Sequence, residues 1–361
     1  MTSQTSTALV DSALSADIGK LALRGSQAPL VPTGALEKAG FKYIDLTPVI
    51  GREFADGIQL RDILNAPNAD ELIRELAIVI AQRGVVFFKK QDLTIPEQKE
   101  LGNKLGILSG RPAASGLHKH PTERSPELPD DISTITSERN KHYAKARYQQ
   151  SRFAARGWHS DITFEPVPSD YAILKVHSRP ETGGDTLWAS AYEAYDRLTP
   201  AYQKFLEGLT AVHEANVFHQ VAEAAGEKAY TAVRGHPLND GPNFTATHPV
   251  IRTNPVTGWK GLFVNPIFTK SINGLSKDES DSTLEYLNKL WTNNHDLQVR
   301  WRWNDPNDLA IWSNTSTVHT ATFDYGDNFR AGDRVVSLGE KPYFDPASKS
   351  RREALGLPSF H

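Results

Sequence analysis

The triplet His159-Ser160-Asp161, answered far downstream by His319, constrains this chain more than any other feature. In extended backbone, residues i and i+2 point to the same side, so His159 and Asp161 can address one ion together. The third ligand has to come from a different and sequentially remote strand. A fold that uses all three must therefore bring distant strands together. Two imidazoles and one carboxylate occupy one face of a metal and leave the opposite positions open, an arrangement that suits non-haem Fe(II) activating O₂. A lone His-x-Asp triplet also arises by chance, and three unrelated surface or core residues stand as the alternative at this point.

The surrounding pattern agrees with a β-rich core. A helix is expected from about Ala69 to Arg83, with Leu72, Leu76 and Val79 on one face, closed by Gly84 and followed by the apolar strand Val85-Val86-Phe87-Phe88. Thr94 caps a second helix with Pro96 in its first turn and Gly106 near its end, Thr199-Pro200 opens a third through Leu206, and Ser276 with Glu279 forms a capping box for a helix to about Trp291. Tyr171–Val176 is read as a strand. Gln298 to Trp303 alternates Val299, Trp301 and Trp303 with Gln298, Arg300 and Arg302, a period of two. Beyond the turn Asn304–Asp308, the run Leu309–Trp312 is read as the partner strand of a hairpin leading to His319. Many short strands with helices outside predict a mainly β fold with flanking helices (α+β), a jelly-roll-type sandwich or barrel. Residues 36–361 are expected to form one domain, 1–35 a poorly ordered arm, and about 120–155 a lid before His159, with an ordinary surface insertion as the other reading.

Composition enters as exclusion. The chain has no cysteine, so disulfides, zinc thiolates and iron–sulfur clusters are ruled out, and a reducing, cytoplasmic compartment fits. A net charge of −3 gives no electrostatic basis for nucleic-acid binding, and strand alternation accounts for Arg300 and Arg302 between tryptophans better than base stacking does. Neither a signal peptide nor a membrane-spanning apolar run is apparent, so Asn243-Phe-Thr and Asn314-Thr-Ser are chance matches to the glycosylation pattern.

Several segments, in order and with compatible spacing, carry a resemblance. They are Trp158-His-Ser-Asp161-Ile-Thr-Phe164, Gly183-Gly-Asp-Thr-Leu-Trp188, His248-Pro-Val-Ile-Arg-Thr253, Val299-Arg-Trp-Arg-Trp303, Trp312-Ser-Asn314, His319, Arg330 and Arg334. Together, from about Gly84 to Phe344, they resemble the taurine dioxygenase (TauD/TfdA-like) family. The resemblance implies a double-stranded β-helix (jelly roll, cupin-like) and oxygenation dependent on Fe(II), 2-oxoglutarate and O₂. It implies His159, Asp161 and His319 as iron ligands, and Arg330 with Thr186 at the C5 carboxylate of 2-oxoglutarate. A planar guanidinium fork and a hydroxyl donor suit that role chemically.

The family's anion-binding arginine falls at Arg334, with a structural arginine at the barrel mouth as its plain alternative. As aligned, the family's sulfonate-binding histidine falls at Arg111, an asparagine at Ala155 and a pocket tyrosine at Ala114, while Phe268 keeps an aromatic wall. The expected substrate is thus a small anionic organic molecule, a sulfonate or carboxylate other than taurine, hydroxylated near its anionic group with release of succinate and CO₂. The alternative in the same class is a biosynthetic oxidase that desaturates or cyclises an amino-acid-like acid. More distant readings are a zinc hydrolase and a non-catalytic barrel. A homo-oligomer, dimer or tetramer, is expected from the family. His118 and His120 are read as surface residues, His213 and His219 as supports of the pocket, and Trp312 as packing beneath His319.

Overall fold

A computed structural model describes residues 28–138 and 153–361 of the chain. The chain is mainly β with flanking helices, in a jelly-roll arrangement. Its largest sheet has seven strands, in the order Tyr43–Asp45, Arg52–Phe54, Val85–Phe88, Asp308–Ser313, Ser169–Ser178, Ala331–Leu338 and Ser133–Thr136. A facing three-stranded sheet has Thr186–Ser190 between Gln298–Trp301 and Thr317–Ala321. A further three-stranded sheet holds Thr269–Ile272, Thr210–Glu214 and Thr245–Pro249.

Strand alternation divides the apolar residues between two cores. Val86, Phe88, Ile173, Ile311 and Val335 point outward and are covered by the helices Ala69–Arg83 and Ile95–Leu108. Val85, Phe87, Ala310, Trp312 and Val336 point inward, against Trp188, Trp301, Phe164 and Phe268 from the opposite side. Phe87 stacks on Trp301 with ring centroids 4.4 Å apart. Strand Val85–Phe88 is buried on both faces, which explains its unbroken apolar run.

The helix boundaries follow their local chemistry. Helix Ala69–Arg83 ends at Gly84, whose φ of 75° is left-handed, and helix Ile95–Leu108 begins with a reciprocal Thr94–Glu97 capping box. Ser276 and Glu279 form the same box ahead of Lys277–Asn293.

The expected hairpin is not formed. Gln298–Trp301 pairs with Thr186–Ser190, whereas Asp308–Ser313 pairs with Val85–Phe88 and Ser169–Ser178 in the large sheet. Period two sets which face a strand buries but leaves its partner open. Here Asp308 Oδ2 accepts from the backbones of Asn304 and Asp305, both at 2.9 Å, and that turn carries the chain from one sheet to the other.

Residues 1–27 of the arm and 139–152 of the lid lie outside the described residues. Of the remainder, Ala35 and Leu36 are buried against the outer helices, and Ser133–Thr136 is the edge strand paired with Ala331–Arg334. Among the described residues, no helix is long and apolar enough to cross a membrane.

Candidate metal centre

His159 and His319 meet backbone to backbone. His159 N donates to His319 O at 2.9 Å, and His319 N returns to His159 O at 2.7 Å. This contact is an isolated bridge, not a ladder, so the extended backbone invoked for the His-x-Asp pair lasts little beyond His159 before the chain turns. The turn carries Ile162 at φ 52°, a left-handed conformation that costs a β-branched residue roughly 1–3 kcal/mol and persists only where its surroundings enforce it.

One ligand atom each from His159, Asp161 and His319 lies within 4.8 Å of the others. His159 Nε2 and His319 Nε2 stand 3.8 and 3.9 Å from Asp161 Oδ1. His159 Nδ1 donates to Gly157 O at 3.0 Å, which leaves the Nε2 lone pair toward Asp161. Burial pushes the pKa of His319 down to about 3, with His159 adding to the effect, so its imidazole is neutral and ready to ligate. Trp312 packs against the His319 ring at 5.0 Å, as read from sequence.

Asp161 is held by Asn314, to which the sequence reading gave no role in the site. Asn314 Oδ1 accepts from Asp161 N at 3.0 Å and from Trp312 Nε1 at 3.2 Å, and Asn314 Nδ2 donates to Asp161 Oδ2 at 3.3 Å. Burial alone would raise the carboxyl's pKa. The Arg334 guanidinium, the two imidazoles and Asn314 outweigh burial and hold it well below the usual carboxylate range.

Behind the ligands lies a buried polar shell. His248 Nε2 donates to Thr163 O at 2.8 Å and Glu165 O at 3.0 Å, while His213 Nδ1 meets Thr163 Oγ1 at 2.9 Å. Glu165 receives both Arg234 and His118. His118 and His120 are therefore not surface residues: they are 2% and 5% exposed, because each has a polar partner inside. His213 supports the turn, and the half-buried His219 bonds to Pro242 O and stacks on Phe244 with ring centroids 4.8 Å apart, behind the aromatic cluster of Phe164 and Phe218.

Arg330 and Thr186 flank Trp303. Its indole Nε1 donates to Thr186 Oγ1 at 3.1 Å, and the Arg330 guanidinium lies 5.6 Å from its ring centroid. Arg330 Nε donates to Gly184 O at 3.1 Å, but among the described residues the buried Nη2 has no hydrogen-bond partner. Gly184 has φ 74°, and a Cβ there would stand 3.1 Å from Arg330 Cδ, so the glycine makes room for the arginine. A buried guanidinium N–H without an acceptor is costly alone and calls for a carboxylate. This donor set fits 2-oxoglutarate, and the His–Asp–His face fits a ferrous ion.

The remaining predicted residues divide. Phe268 sits edge-on to His159, ring centroids 5.9 Å apart. Arg334 reaches the centre, Nη1 donating to Asp161 Oδ1 at 2.8 Å and Nη2 to Glu123 Oε2 at 2.6 Å. Arg111 is not brought to the site. Its guanidinium bonds to Ser337 Oγ at 2.9 Å and Asn103 Oδ1 at 2.8 Å, under helix Ile95–Leu108 on the face of strand Ala331–Leu338 opposite Arg334. Ala114 lies exposed beside a surface groove with Lys119 and Tyr230, and Ala155 sits in the turn before His159. Sequence reasoning also missed Glu123, which carried no signal beyond its charge.

Comparison with known proteins is consistent with this geometry. The profile of the taurine catabolism dioxygenase TauD, TfdA family matches residues 42–336. The alpha-ketoglutarate-dependent dioxygenase btcD of Neocamarosporium betae is 48% identical over 340 residues, covering 90% of this chain and 98% of that protein. An alpha-ketoglutarate-dependent sulfonate dioxygenase of Saccharomyces cerevisiae is 33% identical, covering 86% of this chain and 70% of its own length. The crystal structure of a taurine dioxygenase from Burkholderia xenovorans superposes with a TM-score of 0.64 at 26% identity, covering 86% of this chain and 92% of that one.

Proposed function

The chain belongs to the TauD, TfdA family and is a 2-oxoglutarate-dependent dioxygenase, and on that premise we propose that it oxidises, by hydroxylation, a C–H of a small organic substrate. Family membership brings Fe(II), 2-oxoglutarate and O₂ with it. In this reading His159, Asp161 and His319 hold the iron, and Arg330 with Thr186 holds the C5 carboxylate of 2-oxoglutarate. Iron with its co-substrate supplies O₂ activation and leaves succinate and CO₂ as by-products.

The residues do the positioning. Asn314 orients Asp161, and the Gly157 carbonyl fixes the His159 tautomer. Trp303 holds Thr186 and backs Arg330, and Phe268 walls the side of His159. The observation that carries the proposal is the three-ligand face of His159, Asp161 and His319, together with an Arg330 Nη2 that is buried without a hydrogen-bond partner among the described residues.

The sequence pointed to a small sulfonate or carboxylate held by Arg334, and one relative is named a sulfonate dioxygenase. The Arg334 fork already lies between two carboxylates, so we keep the reaction and assign no anion to that arginine. Self-association as a dimer or tetramer belongs to the same reading and is checked by sedimentation velocity.

The test is O₂ uptake by Fe(II)-loaded protein with 2-oxoglutarate, with succinate counted alongside. Succinate formed with O₂ consumed, and abolished in His319→Ala, supports the dioxygenase. Hydrolysis of an ester panel without succinate refutes it.

A further inference from the structure

We propose that His248 is a positioning residue for the metal centre: its single imidazole N–H locks the strained turn that follows Asp161, so the carboxylate is held toward His159 and His319 before any ion arrives. The inference rests on the dioxygenase reading for what Asp161 ligates, but the geometry is that of the protein alone.

The chain leaves extended conformation at Asp161 and turns through Ile162, whose φ of 52° a β-branched residue keeps only where its surroundings enforce it. Glu165 N donates to Ile162 O at 3.0 Å and closes the turn. Before the turn, Asn314 holds the backbone: its Oδ1 accepts from Asp161 N at 3.0 Å and its carbonyl from Ser160 Oγ at 2.6 Å. Beyond it, Thr163 and Glu165 are fully buried and belong to no helix or strand, so their carbonyls need donors from elsewhere. His248 Nε2 supplies one to both, at 2.8 Å to Thr163 O and 3.0 Å to Glu165 O. Burial keeps the ring neutral, its pKa pushed down to about 3, so it carries one N–H, and the two carbonyls place that proton on Nε2.

The histidine is itself fixed by the three-stranded sheet. It stands on strand Thr245–Pro249 opposite Ala211 of strand Thr210–Glu214. That second strand also brings His213 Nδ1 to Thr163 Oγ1 at 2.9 Å, with the two imidazoles edge to face at 5.2 Å between centroids. This sheet is therefore the platform on which the turn rests. Asn314 orients the Asp161 carboxylate, while His248 holds the backbone that presents it. Without the His248 N–H, two buried carbonyls lose a donor, Ile162 relaxes toward ordinary backbone angles, and Asp161 swings away from the histidines.

The experiment compares wild type, His248→Phe and His248→Gln. Phenylalanine keeps the bulk of the ring and removes the N–H, whereas the glutamine amide reaches the place of Nε2 and restores a donor. Mn(II) affinity is measured by titration, the Fe(II)–2-oxoglutarate visible band without O₂, and the thermal midpoint on metal-free protein. His248→Phe should weaken Mn(II) binding of the folded protein by roughly tenfold and shift or weaken the band, and His248→Gln should recover most of both. A phenylalanine variant that melts lower but binds Mn(II) and absorbs like wild type makes His248 merely structural and overturns the proposal. A glutamine variant no better than phenylalanine does the same. Should the phenylalanine variant not fold, His248→Asn, whose shorter amide stops short of the two carbonyls, takes its place against His248→Gln. Failure of the dioxygenase reading has a different signature: wild type itself forms no band, and the proposal falls with it.

Discussion

Asn314 touches Asp161 through both its backbone N–H and its carboxylate, and it is itself anchored by Ser169 Oγ at 2.8 Å. Its loss should disturb the ligand without removing it. We expect Asn314→Ala to weaken Fe(II) or Mn(II) binding by roughly 10–100-fold, read by metal titration, with the helical and sheet content unchanged by circular dichroism. Arg330→Met should raise the 2-oxoglutarate concentration needed for half-saturation by roughly 10–100-fold, since a charge-assisted bond contributes about 1.5–3 kcal/mol. Unchanged half-saturation would remove Arg330 from the co-substrate site. The residues legible in the sequence were those whose spacing has a geometric meaning, His159 with Asp161 and the distant His319. Asn314 stood out only in a glycosylation pattern and in the Trp312-Ser-Asn314 segment of the resemblance, without a role, and no periodicity marks an amide that acts through another side chain. Arg111 misled because sequence distance does not say which face of a sheet a loop residue returns to. The space under helix Ile95–Leu108, beside Gly106, takes its guanidinium instead.

Helices declared themselves through caps and periodicity, because those signals are local. The Thr94 cap, the Ser276–Glu279 box and the Gly84 stop stand where the sequence predicts them. Strand partners did not, because pairing is decided across the molecule, and the hairpin expected around Asn304–Asp308 is a crossover between sheets. Gly84 links this scale to the site. Its φ is +75°, and a Cβ there would stand 2.7 Å from Thr317 Cγ2, at the start of the strand that carries His319. Gly84→Ala should therefore cost roughly 1–2 kcal/mol from conformation alone, plus the clash, and should weaken metal binding as well. Thermal melting with and without Mn(II) checks this. A wild-type-like melt would show that the strand has room to move.

At the scale of the whole molecule, the sandwich buries many ionisable groups, and these set its pH response. Burial lowers the pKa values of His118, His120, His213, His248 and His319 in the folded chain, to about 3 for His248 and His319. The unfolded chain takes up imidazole protons below about 6.5 that the folded chain refuses, so stability present above that pH is lost as pH falls. Asp170 and Asp196, raised by burial to about 6, work in the opposite direction, as do the raised Asp308 and Asp333. The histidines act first and prevail between about pH 6.5 and 5. Urea midpoints of the metal-free protein should therefore fall on going from pH 7 to 5, and a rise would contradict the buried-histidine network. The same burial shields the His159–Asp161–His319 face and the Arg330 Nη2 that has no hydrogen-bond partner among the described residues. The most direct test is the visible spectrum of the protein mixed with Fe(II) and 2-oxoglutarate in the absence of O₂. The account predicts a metal-to-ligand charge-transfer band that disappears in Asp161→Ala and needs more 2-oxoglutarate in Arg330→Met. No band from wild-type protein with all three ligands intact would contradict it.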